Sequence, residues 1–140
     1  MQPKLKKVAQ LDLTFDLVLD YDTLSGQRGY MRLSGGTLAG DVKAKVLDQA
    51  GDWPIKRLDG ALENDVRIVL EAQDGTTLYL RALGLSTPQG AGYNMTCSAR
   101  FDAPAGRYLW LTQSMFVLSG ELSDQSASLG LYQILEVEND

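Results

Sequence analysis

A glycine, an acid, an indole and a proline follow one another at Gly51-Asp52-Trp53-Pro54. An Asp held against an indole face and away from water has its pKa raised, and such a carboxyl serves as general acid or base near neutral pH. The plainer reading of the same residues is a turn-capping Asp beside a core Trp. A second candidate lies between Leu62 and Ala72, where Leu62, Val66, Ile68 and Leu70 alternate with Glu63, Asp65, Arg67, Val69 and Glu71. Asp65 and Arg67 are two residues apart and share a strand face, either as a charge-assisted anion site or as a solvated ion pair. The third candidate is aromatic. Tyr93, Phe101, Tyr108, Trp110, Phe116 and Tyr132 supply rings that suit a pocket for a flat ligand or an ordinary core. Cys97 has no basic sequence neighbour to lower its thiol pKa and reads as a small buried hydrophobe.

Composition narrows the chemistry further. With no histidine, Ser-His-Asp and Cys-His catalysis and His-based metal sites are excluded. One cysteine builds neither a thiolate metal site nor an internal disulfide. The glycines at Gly35, Gly36 and Gly40 lack the spacing and trailing Lys of a phosphate loop. Catalysis would therefore run on ordinary polar side chains, with no metal and no organic cofactor expected. Thirteen Lys and Arg against 18 Asp and Glu give a net charge of −5, which repels phosphate backbones and anionic lipid. The expected partner is accordingly a small molecule, with no nucleic acid and no membrane. Residues 1–10 hold no apolar core of signal-peptide kind, and no apolar run approaches the ~18 residues of a membrane helix. The expected address is cytoplasmic.

The elements that must position these residues are strands. Leu11, Leu13, Phe15, Leu17, Leu19 and Tyr21 alternate with Asp12, Thr14, Asp16, Asp20 and Asp22, which predicts one long strand with a single apolar face. Further strands are predicted over 28–34, 38–47, 62–72, 76–83, 93–101, 108–118 and 127–137, with a looser stretch at 84–92. Turn chemistry separates them at Ser25-Gly26, Gly35-Gly36, Asp59-Gly60 and Asp74-Gly75, the last being the best hairpin signal in the chain. About eight to ten strands with little or no helix predict an all-β fold, and sheet closure to protect edges favours a single antiparallel β-barrel. One domain spans 1–140, with 1–10 and 138–140 expected to fray.

The order of these segments resembles the domain of unknown function 3237 family, whose members form lipocalin-like antiparallel barrels. The resemblance rests on Ser34-Gly35-Gly36-Thr37-Leu38-Ala39-Gly40, Gly51-Asp52-Trp53, Leu58-Asp59-Gly60 and Asp65-Val66-Arg67. It continues through Asp74-Gly75, Leu78-Tyr79-Leu80 with Gly84, Tyr108-Leu109-Trp110-Leu111 and the final strand from Leu129 to Val137. Two positions depart from the family's usual pattern: Thr112 stands where an Asn is common, and Gln49-Ala50-Gly51 is poorer in glycine. The resemblance implies that Asp52, Trp53, Asp65, Arg67, Tyr108 and Trp110 stand near an interior pocket.

Three functional readings follow. The first is a cofactor-independent enzyme acting on a small aromatic or keto metabolite by proton transfer next to a carbonyl, as an isomerase, cyclase or lyase. Asp52 would be its general acid or base, and Arg67, oriented by Asp65, would hold a carboxylate or an enolate oxygen. Tyr79 or Tyr108 would donate a hydrogen bond to that oxygen, with Trp53 and Trp110 against the ligand. The second reading is a barrel that binds a ligand without turnover. The third is a homodimeric module joined through an apolar outer stripe.

Overall fold

The computed structural model describes residues 2–48 and 50–137 and consists almost wholly of antiparallel strands. They are β1 (Gln2–Thr23), β2 (Gly26–Gly40), β3 (Ala44–Val46), β4 (Gly51–Asp52), β5 (Ile55–Lys56), β6 (Leu62–Ala72), β7 (Thr77–Gln89), β8 (Gly92–Asp102), β9 (Phe116–Leu122) and β10 (Ser126–Val137). A single helical turn, α1 (Leu109–Thr112), joins β8 to β9. Neighbouring long strands pair in chain order from β6 to β10, and β10 and β2 both pair with β1. The short strands β3, β4 and β5 each pair with β2 on one side and β6 on the other, so together they act as one interrupted strand. The ring is thereby closed into a barrel with eight strand positions, a size whose interior is filled by side chains or holds one small ligand.

Strand alternation places the core. Leu11, Ile68, Leu80, Phe116, Leu118 and Leu131 are fully buried inside, and the neighbouring positions face outward. Glycine permits a close strand approach at Gly84, which pairs with Asn64 of β6 and Cys97 of β8. A Cβ there would lie 2.2 Å from the Thr96 carbonyl oxygen and 2.5 Å from Cys97 Sγ.

The predicted single face of β1 does not hold. The β1–β2 hairpin carries two register shifts on either side of the Phe15–Leu33 pair, with Asp16 and Ser34 as the extra residues. Each extra residue inverts the alternation beyond it. Leu11, Leu13 and Phe15 stay inside. Past Asp16, Val18 pairs with Met31 and Asp20 with Gly29 toward the barrel mouth, while Leu19 and Tyr21 are turned outward and about half exposed. The bulge is held by Arg32, whose Nε donates to Asp16 Oδ1 at 2.8 Å.

Four other expectations are revised. Gly35-Gly36 is no turn but part of β2, where a Cβ on Gly36 would lie 2.6 Å from the Asp12 carbonyl oxygen. The 84–92 stretch continues β7 as far as Gln89, with Pro88 close to the hairpin end. Residues 108–118 break into α1 and β9 rather than forming one strand. Of the segment expected to fray at 1–10, the described part is paired: Gln2 to Lys7 run against Val137 to Tyr132, and β1 starts at Gln2. The other expected frayed end, 138–140, lies outside the described residues.

Gly84→Ala will force β7 and β8 apart at their tightest point and lower stability by about 2–3 kcal/mol, as overpacking at an unyielding site does. Urea unfolding will show it; an unchanged midpoint would contradict the close approach.

Candidate functional site

β4 is only two residues long, and each has a distinct task. Gly51 lies under an aromatic pair: a Cβ there would be 2.7 Å from the Tyr30 ring and 2.8 Å from the Met31 carbonyl oxygen. Asp52 pairs with Met31 on β2 and Val66 on β6, both inward-facing, so its carboxyl enters the barrel, where it is 2 % exposed.

Two donors meet the carboxylate. Asn64 Nδ2 donates to Oδ2 at 2.7 Å and the Asp65 backbone N–H donates to Oδ1 at 2.9 Å. Asn64 Oδ1 in turn accepts from Ser86 Oγ at 2.6 Å. Asp52, Asn64 and Ser86 are the buried polar side chains among the described residues, and they form one chain across β4, β6 and β7. Burial raises the Asp52 pKa to about 6, against the two hydrogen bonds that favour its charged form. Cys97 lies in the same interior. Its thiol is pushed up to about 12, first by burial and then by the Asp52 charge, so it is no nucleophile.

Asp52 borders a narrow cavity of about 10 Å³, room for roughly one water molecule, lined otherwise by apolar residues and Gly51. Three strands, β1, β2 and β8, then offer their next inward side chain to a wider mouth of about 160 Å³. Phe15 gives way to Val18, Leu33 to Met31 and Met95 to Tyr93, while Leu122 borders both spaces. The site is thus a shallow vestibule above a buried acid, separated by one layer of flexible side chains.

The other expected site residues lie elsewhere. Trp53 follows Asp52 and so faces outward, stacked on Tyr30 with ring centroids 5.1 Å apart and with the Arg67 guanidinium 5.7 Å from the indole. Asp65 accepts from Arg67 at 3.2 Å and lies 3.5 Å from Arg81 Nε on the same outer face. Burial raises its pKa, but the hydrogen bonds from the two arginines outweigh that and hold it below the ordinary value. Tyr79 belongs to this outer face too. Tyr108 is buried beside α1, and Trp110 packs against Phe116 at 6.2 Å, which in turn meets Phe101 edge-on at 5.2 Å. These rings plug the end opposite the mouth.

Asp52 and Arg67 therefore do not converge. Asp52 pairs with Val66, and Arg67, one residue on, points to the opposite side of the sheet. The residues that do stand with Asp52, Asn64 and Ser86, were not singled out by the sequence reading. Their signal was present in part: Asn64 is a polar residue at an inward position of β6, between Leu62 and Val66.

Comparison with known proteins places this geometry in a family. The family model for proteins of unknown function, DUF3237, matches residues 3–137. The chain belongs to the DUF3237 family. The UPF0311 protein of Clostridium acetobutylicum is 23 % identical over 146 residues, covering 92 % of each chain. A solved structure from Acinetobacter baumannii, described as a β-barrel-like protein, superposes with a TM-score of 0.88 at 22 % identity, over 96 % of this chain and 98 % of that one. An enzyme from Penicillium herquei superposes with a TM-score of 0.77 at 18 % identity, over 96 % of both chains. At these identities the solved structures share a fold with this DUF3237 chain, and the barrel expected from the sequence is the barrel found.

A carboxyl whose pKa is raised on folding contributes stability that is present below its unfolded pKa and lost as pH rises through the folded value. For Asp52 that window runs from about 4 to about 6 and spans at most about 3 kcal/mol. Asp52→Asn removes the loss. The introduced amide keeps the chain intact by reversing it: its NH2 group donates to Asn64 Oδ1, and Asn64 Nδ2 then donates to Ser86. The variant is expected to be more stable than wild type at pH 7.5, with the advantage vanishing at pH 4, as measured by paired denaturation curves. A constant difference across that range would contradict the raised pKa.

Proposed function

We propose that the protein is a cofactor-independent enzyme that uses Asp52 as its general acid–base group on a small aromatic or carbonyl-containing molecule held in the barrel mouth. The observation that carries this reading is a carboxyl group only 2 % exposed, with a pKa near 6, at the foot of a vestibule. A pKa near the working pH lets one carboxyl both take up and release a proton. Each Asp52 oxygen has one lone pair engaged by an N–H donor, which fixes the carboxylate plane and leaves a second lone pair to receive a proton. Ser86 and Asn64 are positioning residues in this account.

The reaction such a group performs is proton removal from carbon next to a carbonyl, followed by return of the proton elsewhere, giving isomerisation, cyclisation or elimination. The ligand gains reach by displacing Met31, Met95 or Leu122; the two methionines have flexible, unbranched side chains suited to this. Support of a general kind comes from the Penicillium herquei structure, described as an enzyme on the same fold. The second reading, a barrel that holds an apolar ligand without turnover, is favoured by the apolar character of the cavity around Asp52. Arg67, Trp53, Asp65 and Tyr79 have no part in either reading.

Crystals soaked with pools of small aromatic and keto compounds will show density between Tyr93, Met31 and Asp52, and the bound compound identifies the assay. On that substrate Asp52→Asn will lower kcat/KM by about 100-fold or more, and the wild-type rate will rise with pH through an inflection near 6. An Asp52→Asn enzyme with full activity would sink the catalytic reading, and retained binding with no wild-type turnover would establish the second.

A further inference from the structure

Charged groups exposed at the barrel mouth bear on the class of ligand it accepts. The mouth is lined by Asp20 from β1, Lys56 from β5 and Asp124 from the β9–β10 turn, alongside Val18, Met31 and Tyr93. Asp20 stands there because of the Asp16 bulge; unbroken alternation would have left it outside with Asp12. Its carboxyl lies over Gly29 beside Pro54, since a Cβ on Gly29 would be 3.4 Å from Asp20 Oδ1 and 3.1 Å from Pro54 Cγ. Among the described residues none of Asp20, Lys56 and Asp124 takes part in an ion pair.

The arginines are on the other side of the sheet. Register aligns Arg32, Gly51, Arg67, Arg81 and Arg100 in one row across β2, β4, β6, β7 and β8, all facing outward. An anion in the mouth thus meets one lysine, two unpaired carboxylates and, one layer deeper, Asp52. Those two carboxylates stand exposed at the rim of the recess, where at low salt they repel an anion approaching the mouth. A hydroxyl, by contrast, donates to ionised Asp52, and a carbonyl accepts from its protonated form.

We propose that the barrel takes an uncharged ligand bearing a hydroxyl or carbonyl on an apolar frame, and that Asp20 and Asp124 determine this specificity by excluding organic carboxylates. The proposal rests on the reading of the barrel interior as the ligand site. It replaces the expectation of a ligand carboxylate held by Arg67, since Arg67 faces outward.

Three probes on one frame test it: 2-naphthol, 2-naphthoate and 2-naphthylmethylammonium, titrated at pH 7.5 and low salt while the Met31 and Met95 methyl signals are followed by NMR. Naphthol is expected to bind in the barrel about tenfold more tightly than naphthoate. Asp20→Asn/Asp124→Asn will tighten naphthoate several-fold, and 0.5 M NaCl will narrow the gap in wild type. Both substituted side chains are exposed, so the fold is not at stake. Naphthoate binding as tightly as naphthol, or a gap unmoved by the double variant, would overturn the proposal alone. Tighter binding of the ammonium would overturn the assignment of an uncharged ligand. If none of the three moves the methionine methyls, the interior-site reading fails and this proposal with it.

Discussion

Closing the sheet removes water from every inward side chain, and at one point that dry interior contains a carboxyl group. An isolated carboxylate there would be prohibitive to ionise; with two N–H donors it is merely costly, and its pKa settles near 6. The Asp52–Asn64–Ser86 chain is what makes the position tolerable. Each link satisfies the next, so that no buried side-chain nitrogen or oxygen among the described residues lacks a partner. A core selected for stability alone would have placed leucine or valine here, as the rest of the barrel does. The acid is retained at the expense of stability above pH 6, and it is the one buried carboxyl group among the described residues.

The surroundings follow from that constraint. Asp52 enters the interior from the two-residue strand β4, in the β3–β4–β5 position of the ring, the one place among the described residues where a strand position is interrupted. The same two-residue strand turns Trp53 outward, where Tyr30 and Arg67 cover it. On the far side of β2, the hairpin bulge at Asp16 re-aims the end of β1 and brings Asp20 to the mouth, while Phe101, Phe116 and Trp110 plug the other end. A row of arginines faces outward, some paired with Asp16 and Asp65, while Asp52 faces the interior and Asp20 and Asp124 its mouth.

Much of the barrel was legible because alternation is a direct record of burial. Period two correctly separated the two faces of β6 and put Asp65 and Arg67 together on one of them, but it did not say which face looks inward. The same rule, applied to adjacent residues, already forbids Asp52 and Trp53 from lining one pocket. What alternation cannot carry is an extra residue. Nothing in Phe15-Asp16-Leu17 distinguishes a bulge from a continued strand, because the hydrophobic pattern persists through it while the backbone phase does not. Nor does sequence give cross-strand register, which decides that Asp52 meets Val66 rather than Arg67. The glycines misled in a related way: Gly35-Gly36 reads as a turn, but glycine serves there to let β1 approach. Asn64 and Ser86 were missed since a single polar residue on an inward face gains meaning only when its partners, 12 and 22 residues away, are known.

The central claim is that burial raises the Asp52 pKa to about 6, close enough to neutral for the group both to take up and to release a proton. Selective 13C labelling of the aspartate carboxyl carbons, assigned by comparison with Asp52→Asn and followed through a pH titration, measures this directly. The account predicts one resonance that titrates near 6, well above those of Asp16, Asp59, Asp65 and Asp74, which their hydrogen-bonding partners hold below the ordinary value. An Asp52 resonance that titrates at or below about 4 would mean that the carboxylate is fully stabilised by its donors. It would then be a structural cross-link rather than an acid–base group.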